Sequence, residues 1–466
     1  GGCPPKNPPM FAPTSFSAVE PLESPIAPAT VSAGVFGSTL KIFALSAATP
    51  VNVIVSQVDA DTFSIIDDGG TPLVVDGVRN IQAQLSDLND QFFYGSGTEL
   101  RGSVTVNGGA GTDSITFNGP GTILGNVSAL TEGSGSVAVS SGFAIRGNTK
   151  IITEAGGVVV HGSVETLNVQ NALFVDLGND SVIGGKVRIT TTANASPTIT
   201  AGGPIHGSLT VVGNVASETV HLFGEVRGRM SLTLREGANS VTSNEEFAAS
   251  NGLIYRGGSG PDTVSLMSAG LLFTPSINGA IKLLLGDGPN NVTLSGSGQY
   301  AGSIQINGGA GDDTVNATSG LFVSGIVRAN LGDGTNNFTI QGPSAALFGG
   351  LQYRGGIDSD LVFVNGTSIG GNAKLVLGDG ANTATIGGAS LSGKLTVIAG
   401  SGNDTIVFGG ALFRGKASLS LGDGTNLATA SGGEFHGGIS YKGGNAGTDG
   451  LSLHNSKVSG GLSVNG

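Results

Sequence analysis

The chain has 466 residues, a net charge of −12, 12% charged residues, 82 glycines, one cysteine and no tryptophan. Low charge with positive mean hydropathy argues against disorder, glycine not placed at every third position excludes collagen, and the lack of a basic tract argues against nucleic acid or anionic lipid as a partner. No apolar run reaches 18 residues, so no membrane span is expected, and Cys3 alone allows no internal disulfide.

Residues 1–33 hold eight of the 17 prolines. Proline blocks sheet ladders and favours extended chain, so this stretch reads either as a linker or as an extended arm. Met10, Phe11, Phe16, Val19 and Leu22 are the apolar anchors such an arm would lay on a neighbouring subunit. Cys3 is compatible with a plain thiol, an intersubunit bond or an anchor. Any export leader would precede Gly1.

Residues 34–93 read as short strands (TLKIFAL, VNVIVSQV, TFSIIDDG, PLVVDGVRNIQAQL), an entrance cap merging into a repeat. Asp90 lies 23 residues before Asp113 and fits the first turn of that repeat. From 94 to 466 one pattern recurs about every 22 residues: a hydrophobic residue, one variable residue, Gly, alternating apolars, a Gly-rich turn, then Asp or Asn. Gly102 stands eleven residues before Asp113, and Gly393 eleven before Asp404. The aligned glycines run from Gly102 to Gly460, mostly 21 to 25 apart, with exceptions of 15 between Gly147 and Gly162 and 27 between Gly252 and Gly279.

Each unit gives three extended pieces broken by glycine, as in KLTVI, DTIVF and ALFRG. No helical period survives so much glycine. The expected fold is all-β: a three-sided parallel β-helix (β-solenoid) of about 16–17 coils, a rod on the order of 80 Å long at ~4.8 Å per coil.

GGAGTDSIT at Gly108, GGSGPDTVS at Gly257 and GGAGDDTVN at Gly308 match GGxGxDxUx. These turns resemble calcium-binding RTX repeats, though they come once per coil rather than every nine residues or so. More broadly, the repeat resembles bacterial secreted and cell-surface β-solenoids, including haemagglutinin-like and autotransporter passenger proteins. SAVEPLES near residue 20 resembles the short N-terminal signature of exported planctomycete proteins. The resemblance implies an extracellular or cell-surface protein, with Ca²⁺ held by turn carboxylates.

The turn position alternates without a break through Asp262, Asn290, Asp313, Asn336, Asp360, Asn382, Asp404, Asn426 and Asp449. The Asn coils carry their acid earlier, at Asp287, Asp333, Asp379 and Asp423. Equivalent residues of stacked coils sit about 4.8 Å apart, where like charges repel, so alternation relieves the stack. Two readings stand. In one, the side chains cap turn amides and no metal is required. In the other, an acid such as Asp287 shares Ca²⁺ with a next-coil acid such as Asp313, and Asp113 takes part in the same way.

Tyr255, Tyr353 and Tyr441 each precede Arg or Lys. They read as covering an apolar face with their hydroxyls in water, or as stacking on sugar. Five scattered histidines and even coil length leave no catalytic cleft, so no enzyme is expected. Ile439, Leu451, Leu453, Val458, Leu462 and Val464 are expected to face an unfinished end coil. The function expected is a structural subunit of an extracellular filament or surface layer, joined head to tail with copies of itself. The alternatives are a monomeric adhesin binding cell-surface glycans, stabilised by Ca²⁺, and a polysaccharide-acting enzyme.

Overall fold

The structure, a computed structural model, describes residues 31–45, 48–68, 70–95, 97, 99–192, 195–268, 275–296, 298–318 and 320–465. Cys3, Met10, Phe11, Phe16, Val19 and Leu22 lie outside the described residues.

Apolar residues at every second position build short strands with one face turned inward, and in most coils glycine-rich corners separate them. Leu395–Ala399, Thr405–Gly409 and Leu412–Phe413 are the three strands of one coil. Each pairs in parallel with its counterpart in the coils before and after, as Val397 does with Leu375 and Leu419. The chain is an all-β, three-sided parallel β-solenoid of about 17 turns with about 22 residues per coil. We call the faces first, second and third in the chain order of those three strands.

Identical positions stack into continuous columns. On the first face Leu232, Tyr255, Leu283, Ile306, Ala329, Tyr353, Leu375, Val397, Leu419 and Tyr441 follow one another in register. All point inward, which corrects the sequence reading of the tyrosines. Tyr255, Tyr353 and Tyr441 are 0%, 1% and 2% exposed, and their hydroxyls are buried with them. The inward period sets their direction, and the following cation, not the ring, meets water.

The repeated glycine marks the corner before the first face, where backbones of successive coils almost touch. A Cβ at Gly415 would collide with the Gly393 carbonyl oxygen. The register corrects three assignments. Asn251, Gly349 and Glu165 hold this corner, rather than Gly252, Gly350 and Gly162. Around Gly162 the coils are shorter because Phe143–Thr153 and Ser163–Ala172 run through the corner as single strands, with a register shift between Ile145 and Asn148.

At the N-terminal end the parallel ladder turns antiparallel. Val31–Phe36 folds back on Thr39–Ala44, and Phe63–Asp67 pairs antiparallel with both Asn52–Gln57 and Leu73–Val75. Thr39–Ala44 and Asn52–Gln57 then start the parallel stack through Asn80–Gln84 and Gln91–Tyr94.

Candidate functional site

The corner between the first and second faces carries the only long polar column inside the solenoid among the described residues. Each member follows a first-face strand, and its side chain folds back under the turn. Asp313 Oδ1 accepts the Asn290 backbone N–H at 3.1 Å and Asn290 Nδ2 at 2.8 Å. Asn290 Oδ1 in turn accepts the Asp262 N–H at 2.9 Å. The same link runs onward through Asn336, Asp360, Asn382, Asp404, Asn426 and Asp449, always from a backbone N–H to the side chain one coil later. All of these through Asn426 are at most 3% exposed.

Asn and Asp do different work in this column. Asn290 Nδ2 also donates to the Gly286 and Gly288 carbonyls, and Asn336 Nδ2 to Gly332 and Gly334. The amide therefore knits its own turn together, which a carboxylate cannot do because it only accepts. Asp262, Asp313, Asp360 and Asp404 each leave Oδ2 buried without a hydrogen-bond partner. Burial pushes the carboxyls of Asp113, Asp262, Asp313, Asp360 and Asp404 up to about 6, against an ordinary 3.8. The Tyr255 and Tyr353 hydroxyls lie beside Asp262 and Asp360, and burial raises both phenols further above their ordinary range.

The structure extends the column beyond the alternation visible in sequence. Asn239 donates to Asp262 Oδ1 through both its N–H and Nδ2, and its own Oδ1 accepts the Glu218 N–H. Glu218 Oε1 accepts from Asn214 N–H at 2.6 Å, and burial pushes this carboxyl up to about 7. The REGAN stretch ending at Asn239 is a variant of LGDGxN and was legible; Glu218, without the glycine turn, was not. The same register then passes through Pro197, Leu173, Gly156 and Gly135, so the column is interrupted. It resumes at Asp113, whose Oδ1 accepts the Asp90 N–H, while Asp90 Oδ1 accepts the Val51 N–H in the cap.

A second, exposed set runs the opposite way. Asp333 Oδ1 accepts the Ile357 N–H, Asp379 Oδ1 accepts the Ser401 N–H at 2.7 Å, and Asp423 Oδ1 accepts the Asn445 N–H at 2.8 Å. The Ser401 bonds hold the Asp379 carboxyl below its ordinary range. Asp287 occupies the same place beneath Gly309. The paired glycines of GGxGxD separate the two sets. A Cβ at Gly308 would collide with Asp313 Oδ2, and one at Gly309 would stand 2.5 Å from Asp287 Oδ1.

The acids that the sequence brings forward therefore fall on two sides of the turn. Asp113, Asp262, Asp313, Asp360 and Asp404 are inside, with Asp449 continuing their line, and Asp287, Asp333, Asp379 and Asp423 are on the rim. Among the described residues no group of three or more His, Cys, Asp or Glu is arranged to hold a metal ion. Asp313 Oδ1 is already taken by two donors of Asn290 and Asp287 adds one carboxylate beside Gly309, a poor fit to the six to eight oxygens Ca²⁺ takes. Leu451, Leu453 and Val458 are half-buried in the last coil, and Leu462 and Val464 are exposed.

No known family model matches this chain, and none of the curated proteins matches it.

Proposed function

We propose that this chain is a non-catalytic structural subunit of an extracellular filament or surface layer, and that its rods associate end to end. The supporting observation is the N-terminal cap. Among the described residues, seven of the nineteen exposed large apolar side chains fall between Phe36 and Val74: Phe36, Phe43, Leu45, Ile54, Val58, Leu73 and Val74. Phe36, Leu45 and Val58 are each more than 60% exposed. Such a concentration in and beside the strands of the cap supports an interaction surface over scattered surface apolars. The antiparallel hairpins end the parallel ladder, so the joint is a packed apolar contact rather than a continued sheet. In this reading the polar column stiffens the rod and needs no Ca²⁺.

Light scattering during size-exclusion chromatography tests the reading. The wild-type chain is expected to elute above its monomer mass of 45.9 kDa. Replacing Phe36, Val58 and Val74 together by Ser is expected to give monomers with an unchanged β-sheet spectrum. A wild-type monomer at all concentrations, or assembly that survives the triple replacement, would contradict it.

A further inference from the structure

The outward side of the first face differs in charge from the rest of this acidic molecule. Its central column runs Lys282, Gln305, Arg328, Gln352 and Lys374 in five consecutive coils. Cation and amide alternate, so cations recur every two coils, about 9.6 Å apart. The neighbouring outward column adds Asn307, Asn330 and Arg354 in register. No outward strand position of this face from Lys282 to Lys442 is Asp or Glu. Among the described residues the ion pairs are His161–Asp180, Arg227–Glu225 and His436–Glu434, none of them on this face. Arg328 Nε instead donates to Gln352 Oε1 at 3.1 Å, which orients both side chains along the rod. Between the columns lies an open groove of about 410 Å³, lined by Gln305, Arg328, Gln352, Arg354 and Lys374.

We propose that this face binds a linear acidic polysaccharide, laid along the rod with carboxylates on Lys282, Arg328 and Lys374. Unpaired cations on a chain of net charge −12 supply local complementarity to an anion. The amides between them both donate and accept, which suits sugar hydroxyls lying between successive charges. The spacing discriminates against other polyanions. An extended acidic peptide presents same-side carboxylates every ~6.6–6.8 Å, out of step with the cations. Duplex DNA carries one charge per about 1.7 Å, far denser than this face. Single-stranded nucleic acid needs exposed aromatic platforms, and the outward strand positions of this face from Lys282 to Val376 carry none.

The test is binding of the full chain to immobilised polygalacturonate at low salt. Fully methyl-esterified polygalacturonate, polyglutamate and oligo-dT serve as comparison ligands. Binding to polygalacturonate alone is expected, weakening as salt rises. Replacing Arg328 and Lys374 by Ala is expected to weaken it at least about tenfold. Replacing Gln305 and Gln352 by Ala, which changes no charge, is expected to weaken it measurably too. Melting curves establish that these variants fold. Absent binding, binding unchanged in either variant, or equal binding to the ester, polyglutamate or oligo-dT would overturn the proposal.

Discussion

Asp313 is a carboxyl with one oxygen satisfied and the other not. Its Oδ1 takes two donors from Asn290, while Oδ2 is buried over Gly308 without a partner. Protonation relieves the unmatched charge, which is why its value rises to about 6. The sign for stability follows. Between about 4 and about 6 the folded chain keeps protons that the unfolded chain, with carboxyls near 3.8, has released. Stability from these groups is therefore fully present below about pH 4, falls as pH rises through about 6, and then levels off. The melting temperature is predicted to be higher at pH 5 than at pH 7.5. Asn fills the same rung in alternate coils, so the double variant Asp313→Asn/Asp404→Asn is predicted to melt higher at pH 7.5 and to flatten this dependence. A melting temperature that rises from pH 5 to pH 7.5 would contradict the assignment of buried, proton-holding carboxyls.

At the scale of the turn, two opposed sets of hydrogen bonds tie each coil to its neighbours. Buried Asn and Asp accept amides from the coil before, and Asp333, Asp379 and Asp423 accept amides from the coil after. The first glycine of each pair leaves room for the buried carboxylate of its own turn, and the second lies against the backbone or rim carboxylate of the preceding coil. A turn held in this way is predicted to be indifferent to chelators. EDTA should leave the melting transition within about 2 °C of the untreated chain, no more than the shift of about 2–4 °C that 1 kcal/mol gives a domain of about 150–250 residues. A fall of 10 °C or so, reversed by Ca²⁺ alone, would return the RTX-like reading of Asp287 and Asp313.

The alternation of Asp and Asn was legible in the sequence because glycine fixes the turn and leaves one polar position in each coil. Glu218 was not legible, since its turn lacks that glycine frame and only the strand register places it over Asn239. The direction of Tyr255, Tyr353 and Tyr441 was misread because a following cation looks the same whether the ring faces in or out. Gly162 misled for a related reason. Two coils pass the corner as unbroken strands, and nothing in composition marks a corner that has been straightened. The cationic columns escaped notice because their members lie about 23 residues apart and meet only when coils stack.

For the whole molecule, about 17 coils of about 22 residues make a rod with an apolar cap. Nearest-neighbour stacking of this kind gives length and rigidity without a long loop for a cleft. The lateral cationic face and the terminal cap do not overlap along the chain, so a rod joined at its ends keeps its side free for a polymer. The end-to-end joint is the central proposal for this rod. Electron microscopy of the purified chain in negative stain measures it most directly. Filaments with an axial repeat on the order of 80 Å are predicted, the rise of about 17 coils at ~4.8 Å each. Discrete single rods at concentrations well above those used for staining would contradict it.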